Sequence, residues 1–443
     1  MRRQILTLFS LLVLPYLLQA EIVVIEGGYL IDPSRPEIAG PGTLLIRDGR
    51  IAQVRDPEPF LVPEGARVID ARGLYIVPGL ADMHNHLRTG TWLLDGDPEP
   101  VARSLLGWGI TTVLDPASPP AFYRPMKDRL AADPAAYPRT YLARGLFTAP
   151  GGWGMPGGYA PETPAEAREL VRRIKAAGTD AIKIMYDDMR WATTRPFVAM
   201  DPAIMRALVD EAHRQGLKAL VHAPILEFAR EAVAAGADGL MHGIISAPVD
   251  DGFIALMRER GTSYVSTLAL YQTTVQLAAL AERLLALDQS GFLDRQLSAL
   301  LGLPQLGGGR TMNPAWSADR LPIVIDNLRR LHAAGVNIVI GTDSGIPGLL
   351  PGTSTHLELQ LHVEAGLAPE EVLRAATSAA ARMVGRSGEF GGLVPGMSAD
   401  LLLLAGDPRE DIQELRQLVT VLRAGRSHQP PVARSPAVPV PAP

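Results

Sequence analysis

The chain carries five residues able to ligate a metal at or just past the ends of short apolar runs, and a lysine inside another such run. His84 and His86 follow the apolar run 75–83. In an extended chain, side chains two residues apart leave on the same side, so two imidazoles there could share one cation. A merely polar strand end is the other reading of that pair. Lys183 lies within Ala181-Ile-Lys-Ile-Met185. Lysine is rarely buried without a partner, and snorkelling to water suits an edge strand. A desolvated amine sheds its proton readily. It could then capture CO2 as a carbamate, whose two anionic oxygens could bridge two cations. His222 ends the run 218–221 and His242 the run 238–241, and each alone is as compatible with a structural histidine as with a ligand. Asp343 follows 337–342 and by itself could be a turn or helix cap.

The elements that must position these residues alternate between strand-like and helix-like stretches, which argues for a parallel α/β architecture. Eight strand candidates appear at 75–83, 110–114, 140–143, 181–185, 219–221, 239–241, 263–266 and 336–340. Eight suggest a closed (β/α)8 TIM barrel over 77–395. Helical patterns at 164–177 and 202–215 start with proline and are followed by glycine. The six residues then fall on strands one, four, five, six and eight, toward the end where barrel active sites lie. Coincidence at all six addresses is a poor explanation. His213 and His332 sit inside helical patterns and read as surface residues.

Alternating residues with tight turns at 21–76, and a matching piece at 396–428, predict a small β-sandwich domain built from both ends of the chain. Residues 268–319 are long for a connection and helical in pattern over 270–301, which predicts an insertion at the barrel mouth. Helices are expected at 357–365 and 369–384, and a Pro-rich disordered tail at 429–443.

Residues 1–20 read as an export signal, with Arg2 and Arg3 before the apolar run 5–18, and predict a periplasmic or secreted protein with no membrane attachment after cleavage. The absence of cysteine excludes disulfides and thiolate metal sites. A net charge of -5 and no basic run give no reason to expect nucleic acid as a partner. The expected partner is a small-molecule substrate, and the oligomeric state is open, a homo-oligomer included.

At these residues the chain resembles the amidohydrolase superfamily, in its imidazolonepropionase-like and prolidase-like branch. The matching segments are Val77-Pro-Gly-Leu-Ala-Asp-Met-His-Asn-His86, Ile182-Lys-Ile184, Val221-His-Ala223, Met241-His-Gly243, Gly341-Thr-Asp343, Ala375-Ala-Thr-Ser-Ala-Ala-Ala-Arg382 and Pro395-Gly-Met-Ser-Ala-Asp400. The resemblance implies that His84, His86 and Asp343 hold one metal and that His222 and His242 hold a second. A carboxylated Lys183 would bridge them. Two divalent ions, Zn2+ the first choice, would share a hydroxide and polarise the scissile carbonyl. Asp343 would take the proton of the attacking water and pass it to the leaving nitrogen. The expected reaction is hydrolysis of a C–N bond in a dipeptide-like, N-acyl amino acid or cyclic amide substrate.

The chain departs from that pattern twice. Met241 stands where an acidic residue is common, and Gly151-Gly-Trp-Gly154 puts Trp153 where the family often has a substrate-contacting histidine. Trp153 could form an aromatic wall of the pocket. Tyr186, Arg190 and His356 complete the candidate substrate contacts, each with a surface or loop role as its alternative. Rival functions are a lactonase or phosphotriesterase, a one-metal deaminase, and a non-catalytic binding protein on the same fold.

Overall fold

The computed structural model describes residues 21–55, 61–87, 98–118, 120–154, 158–193, 195–275, 319–346 and 349–429. The expected signal, nearly all of the tail and most of the expected insertion lie outside the described residues.

Both ends of the chain enter one eight-stranded sheet. Gly40–Arg47 and Arg50–Arg55 form a hairpin through Asp48-Gly49, whose φ angles of 49° and 73° are those of the tight turn that suits twisted strands. Leu401–Leu404 returns from the other end of the chain and lies antiparallel to Tyr75–Pro78, with Leu402 opposite Val77. The sheet is mixed rather than purely antiparallel, because Ile22–Leu30 also runs parallel to Arg67–Asp70 and to Tyr75–Pro78. Its inner face buries Val23, Ile25, Leu44, Ile76, Leu401 and Leu403.

The run 75–83 is not one strand. Tyr75–Pro78 belongs to this sheet, and Leu80–Asp82 is the first strand of the barrel. Gly79 makes the crossing. Its N–H donates to Asp400 O at 2.8 Å, and a Cβ there would stand 2.1 Å from Thr111 Oγ1.

The other barrel strands are Ile110–Ser118, Arg139–Arg144, Ala181–Met185, Lys218–His222, Gly239–Leu240, Ser263–Val265 and Ile338–Val339. With Leu80–Asp82 they form parallel runs of three and five. Backbone hydrogen bonds cross both seams. Phe147 N donates to Lys183 O at 2.8 Å between strands three and four, and Met83 N donates to Ile340 O at 2.9 Å between strands one and eight. The fold is a (β/α)8 TIM barrel.

The helices expected at 164–177 and 202–215 start and stop where the sequence signals them, whereas the one expected at 357–365 begins a turn earlier, as Thr353–Glu364. Pro164–Ala176 is capped by Thr163 Oγ1, which accepts from Glu166 N, and ends before Gly178 at φ 86°. Asp201 caps Pro202–Arg214 in the same way. The pattern at 369–384 is two helices, Pro369–Ala375 and Ser378–Met383. Thr377 breaks it at φ -133° and ψ -94°, with its hydroxyl donating back to Leu373 O. The sheet is tied to the barrel by Asp400, which pairs with Arg423 at 2.9 Å and with Arg139 of the third barrel strand at 3.3 Å.

Candidate metal centre

The six residues predicted from strand ends meet in one buried cluster. His84 Nε2 lies 3.2 Å from Lys183 Nζ and 3.2 Å from Asp343 Oδ1. His86 Nε2 lies 2.9 Å from the same Asp343 oxygen. The rings of His84 and His242 are 4.8 Å apart, and those of His242 and His222 are 4.3 Å apart. Nitrogens of His84 and His242 and an oxygen of Asp343 all fall within 4.8 Å of one another, close enough for metal ligation.

Neighbouring residues decide which nitrogens face inward. His84 Nδ1 donates to the carbonyl of Met241 at 2.8 Å. His222 Nε2 donates to Asp187 Oδ2 at 2.9 Å. His242 Nδ1 pairs with Thr267 Oγ1 at 3.1 Å. His86 Nδ1 stands 3.6 Å from Asp115 Oδ1. Hydrogen-bonded outer partners, as at His84, His222 and His242, fix the tautomer and orientation of a metal-binding imidazole. Met241 therefore contributes its backbone carbonyl, which any residue at that position could supply.

Asp82 holds strands one and eight together beneath the cluster. Its Oδ1 accepts from the backbone N–H of His84 and of Thr342. Its Oδ2 accepts from Asn85, Thr342 and Thr355 side chains at 2.8–3.0 Å. Burial pushes its carboxyl up, and these donors hold it back only in part. The strands also approach closely at glycines. A Cβ on Gly341 would lie 2.8 Å from His84 Cβ, and one on Gly345, at φ 92°, would lie 2.1 Å from His86 O. Asp343 itself takes the left-handed region at φ 61°, an unusual conformation for a non-glycine residue that recurs at functional sites.

The electrostatics fit a cation. Because His84 Nδ1–H is spent on Met241 O, the Nε2 lone pair faces the Asp343 carboxylate at 3.2 Å. Two acceptors at that distance call for a positive group beside them, a part that Lys183 Nζ, 3.2 Å from the same nitrogen, fills while protonated and that a cation would fill once the amine is neutral. Burial lowers the basicity of His84 and His242 well below the usual histidine range, which keeps both imidazoles neutral and able to ligate. Burial pushes the Asp343 carboxyl up, but His84, His86 and Lys183 outweigh it and hold it at about 2. Burial lowers the Lys183 amine to about 7, with Asp343 opposing.

The candidate substrate residues separate. Trp153 stays near the mouth, packed on Ala117, Leu146 and Met185 and edge-on to Phe197 at 5.3 Å. Tyr186 does not face the cluster. It is three residues past Lys183 and so on the opposite side of the strand, where its hydroxyl donates to Glu231 and its ring meets Phe228. Arg190 pairs with its neighbour Asp188 at 2.7 Å, about half exposed, and lies 5.5 Å from the Phe228 ring. His356 is buried in the helix layer, its Nε2 donating to Trp108 O at 2.9 Å. His213 and His332 pair with Asp238 and Glu371 away from the cluster.

Sequence reasoning missed Asp82, Asp115, Asp187 and Thr267. Alternation alone points to two of them. Asp82 precedes His84 by two residues, and Asp187 follows Lys183 by four.

Comparison with known proteins covers the same stretch of chain. A family model described as the amidohydrolase family matches residues 75–427. An imidazolonepropionase of Anaeromyxobacter sp. (strain K) is 30% identical over 431 residues, covering 89% of this chain and 93% of that one. A dihydroorotase of Anaeromyxobacter dehalogenans (strain 2CP-C) is 32% identical over 203 residues, 46% of this chain and 42% of that one. Among solved structures, one from Bifidobacterium longum, described provisionally as a prolidase, superimposes with a TM-score of 0.76 at 28% identity, covering 94% and 96% of the two chains. A Xaa-Pro dipeptidase with methionine in its active site shares the fold, with a TM-score of 0.76 at 22% identity over 92% of this chain and 100% of that one. The family match includes every residue of the cluster, and the chain belongs to the amidohydrolase family, as a metal-dependent hydrolase acting on carbon–nitrogen bonds.

Proposed function

We propose that the chain hydrolyses a small amide at a binuclear metal centre bridged by carboxylated Lys183, the substrate being dipeptide-like, an N-acyl amino acid or a cyclic amide. The observation that carries this reading is Lys183. Its amine is buried on a barrel strand, 3.2 Å from His84 Nε2, and is lowered to about 7. At neutral pH a large fraction is uncharged and nucleophilic. Attack on CO2 forms an N–C bond, releases one proton and leaves an anionic carbamate among the histidines.

His84, His86 and Asp343 would hold one ion and His222 and His242 the other, with the carbamate between. Two divalent cations, Zn2+ the first choice for these ligands, would make a shared water acidic and polarise the scissile carbonyl. Asp343 is ionised near neutrality and reaches both His84 and His86. It accepts the proton of the attacking water and delivers it to the leaving nitrogen. Trp153, with Leu146 and Met185, would bound an apolar part of the substrate. Names among the relatives, imidazolonepropionase, dihydroorotase and Xaa-Pro dipeptidase, support a small amide.

A panel of dipeptides, N-acyl amino acids, cyclic amides, lactones and phosphotriesters, offered to zinc-reconstituted protein, tests the reading. Turnover of amides, lost in Asp343→Asn with metal retained, is the expected result. Turnover of lactones or phosphotriesters without any amide would overturn the substrate class. We propose export on Arg2, Arg3 and the apolar run after them, and N-terminal sequencing of the mature protein tests that separately.

A further inference from the structure

Asp187 is the one carboxylate, other than Asp343 and Asp115, that the structure brings against the imidazoles of the cluster among the described residues. It stands four residues past Lys183, on the same side of the strand by alternation. The residue is 2% exposed. Its Oδ2 accepts two hydrogen bonds, from His222 Nε2 at 2.9 Å and from the Trp191 indole N–H at 2.7 Å. Its Oδ1 is buried with no hydrogen-bond partner. Trp191 is itself held by packing, edge-on to Tyr271 at 5.6 Å and 6.5 Å from the His222 ring.

A buried carboxylate with one oxygen unsatisfied lowers stability. The arrangement nevertheless does something specific. With Nε2–H donating to Asp187, the lone pair of His222 resides on Nδ1. The adjacent negative charge also makes that nitrogen a stronger donor toward a cation. The anchoring is rigid, because two donors from different residues converge on one oxygen.

We infer that Asp187, held by Trp191, is a positioning residue of the metal centre that selects Nδ1 of His222 as its metal-facing nitrogen. The inference rests on the binuclear reading above and adds to it the device that builds the His222–His242 half. Asp187 does not touch the reacting atoms; it acts through His222.

The test is zinc binding to the full chain, read by elemental analysis and by competition with a chromogenic chelator. Wild type is expected to hold two equivalents. In Asp187→Ala one equivalent weakens by about 10–100-fold and the other is unchanged. Asp187→Asn keeps an oxygen for His222 and Trp191 but loses the charge, so its affinity falls between. Melting of the chelated proteins separates this from a structural role. Asp187→Ala strands the buried His222 and Trp191 N–H groups and lowers the metal-free melting point by itself, so the comparison is made in Asp187→Asn, which keeps an acceptor for both. Weakened zinc binding at a wild-type metal-free melting point is expected. Zinc loss that follows a lowered melting point would mark a merely structural residue and overturn the inference. Wild-type zinc affinity in folded Asp187→Ala overturns the inference and leaves the binuclear reading standing. If the alanine variant does not fold, wild-type affinity in Asp187→Asn overturns it equally. A wild-type chain holding fewer than two equivalents overturns the binuclear reading, and the inference with it.

Discussion

The imidazole of His242 and the hydroxyl of Thr267 meet at 3.1 Å, and Thr267 makes that contact from a left-handed backbone at φ 47°. A β-branched residue there is strained by about 1–3 kcal/mol. The strain is held by Glu358, whose carboxyl oxygens accept the backbone N–H groups of Leu268 and Ala269 at 2.8 and 2.7 Å. The loop leaving strand seven is thus pinned to the helix Thr353–Glu364 so that one hydroxyl reaches one imidazole.

Replacing Thr267 by valine keeps the branched shape and the backbone strain and removes only the hydroxyl. His242 loses its outer partner, and zinc affinity is expected to fall about 10–100-fold. Chelator competition on the variant checks this. Zinc binding as tight as in wild type would remove Thr267 from the centre.

Gly345→Ala should damage both stability and the site. The residue sits at φ 92°, and a Cβ would stand 2.1 Å from the backbone oxygen of His86. Backbone strain alone costs about 1–3 kcal/mol, and the clash displaces the strand that carries two imidazoles. Denaturant unfolding together with zinc uptake measures the two effects. An alanine variant equal to wild type in both would show that the two strands do not pack this closely.

His356 predicts a pH dependence of stability away from the metal cluster. Burial lowers its imidazole to about 4, with the bond to Trp108 O opposing. The folded value lies below the unfolded one, so the unfolded chain binds more protons between them. This contribution is complete above about 6.5 and is lost as pH falls through about 4, amounting to about 3 kcal/mol at most. Unfolding of metal-free protein across that window should therefore be steeper for wild type than for His356→Gln, which keeps an N–H for Trp108. Parallel curves for the two proteins would refute the assignment.

Trp153→Ala tests the wall at the mouth. For a substrate with a large apolar group, kcat/KM is expected to fall about 10-fold or more. A substrate carrying only hydrogen or methyl at that position should be little affected, and zinc content should not change. A uniform loss across substrates would instead make Trp153 a prop for the loop at Thr148, whose hydroxyl donates to its carbonyl.

Local chemistry in the sequence settled much of this protein. Apolar runs of strand length marked all eight barrel strands, and the Asp48-Gly49 turn and the caps at Thr163 and Asp201 lie where short-range stereochemistry requires them. The six residues of the cluster were legible because a strand end is a local address, and a parallel barrel gathers its strand ends at one face. Alternation is equally local. It would have turned Tyr186 outward and Asp187 inward beside Lys183. What only the tertiary structure decided are relations between residues far apart in the chain. Gly79 divides one apolar run between two sheets because Asp400 and Thr111 meet it there. His356 is occupied by the carbonyl of Trp108 at the end of another helix, Glu99–Gly107. The facing nitrogens of His84, His222 and His242 are chosen by Met241, Asp187 and Thr267 on other strands and loops. An imidazole offers two nearly equivalent nitrogens, and nothing in its own sequence neighbourhood distinguishes them. The choice is made by whichever donor or acceptor the fold brings alongside.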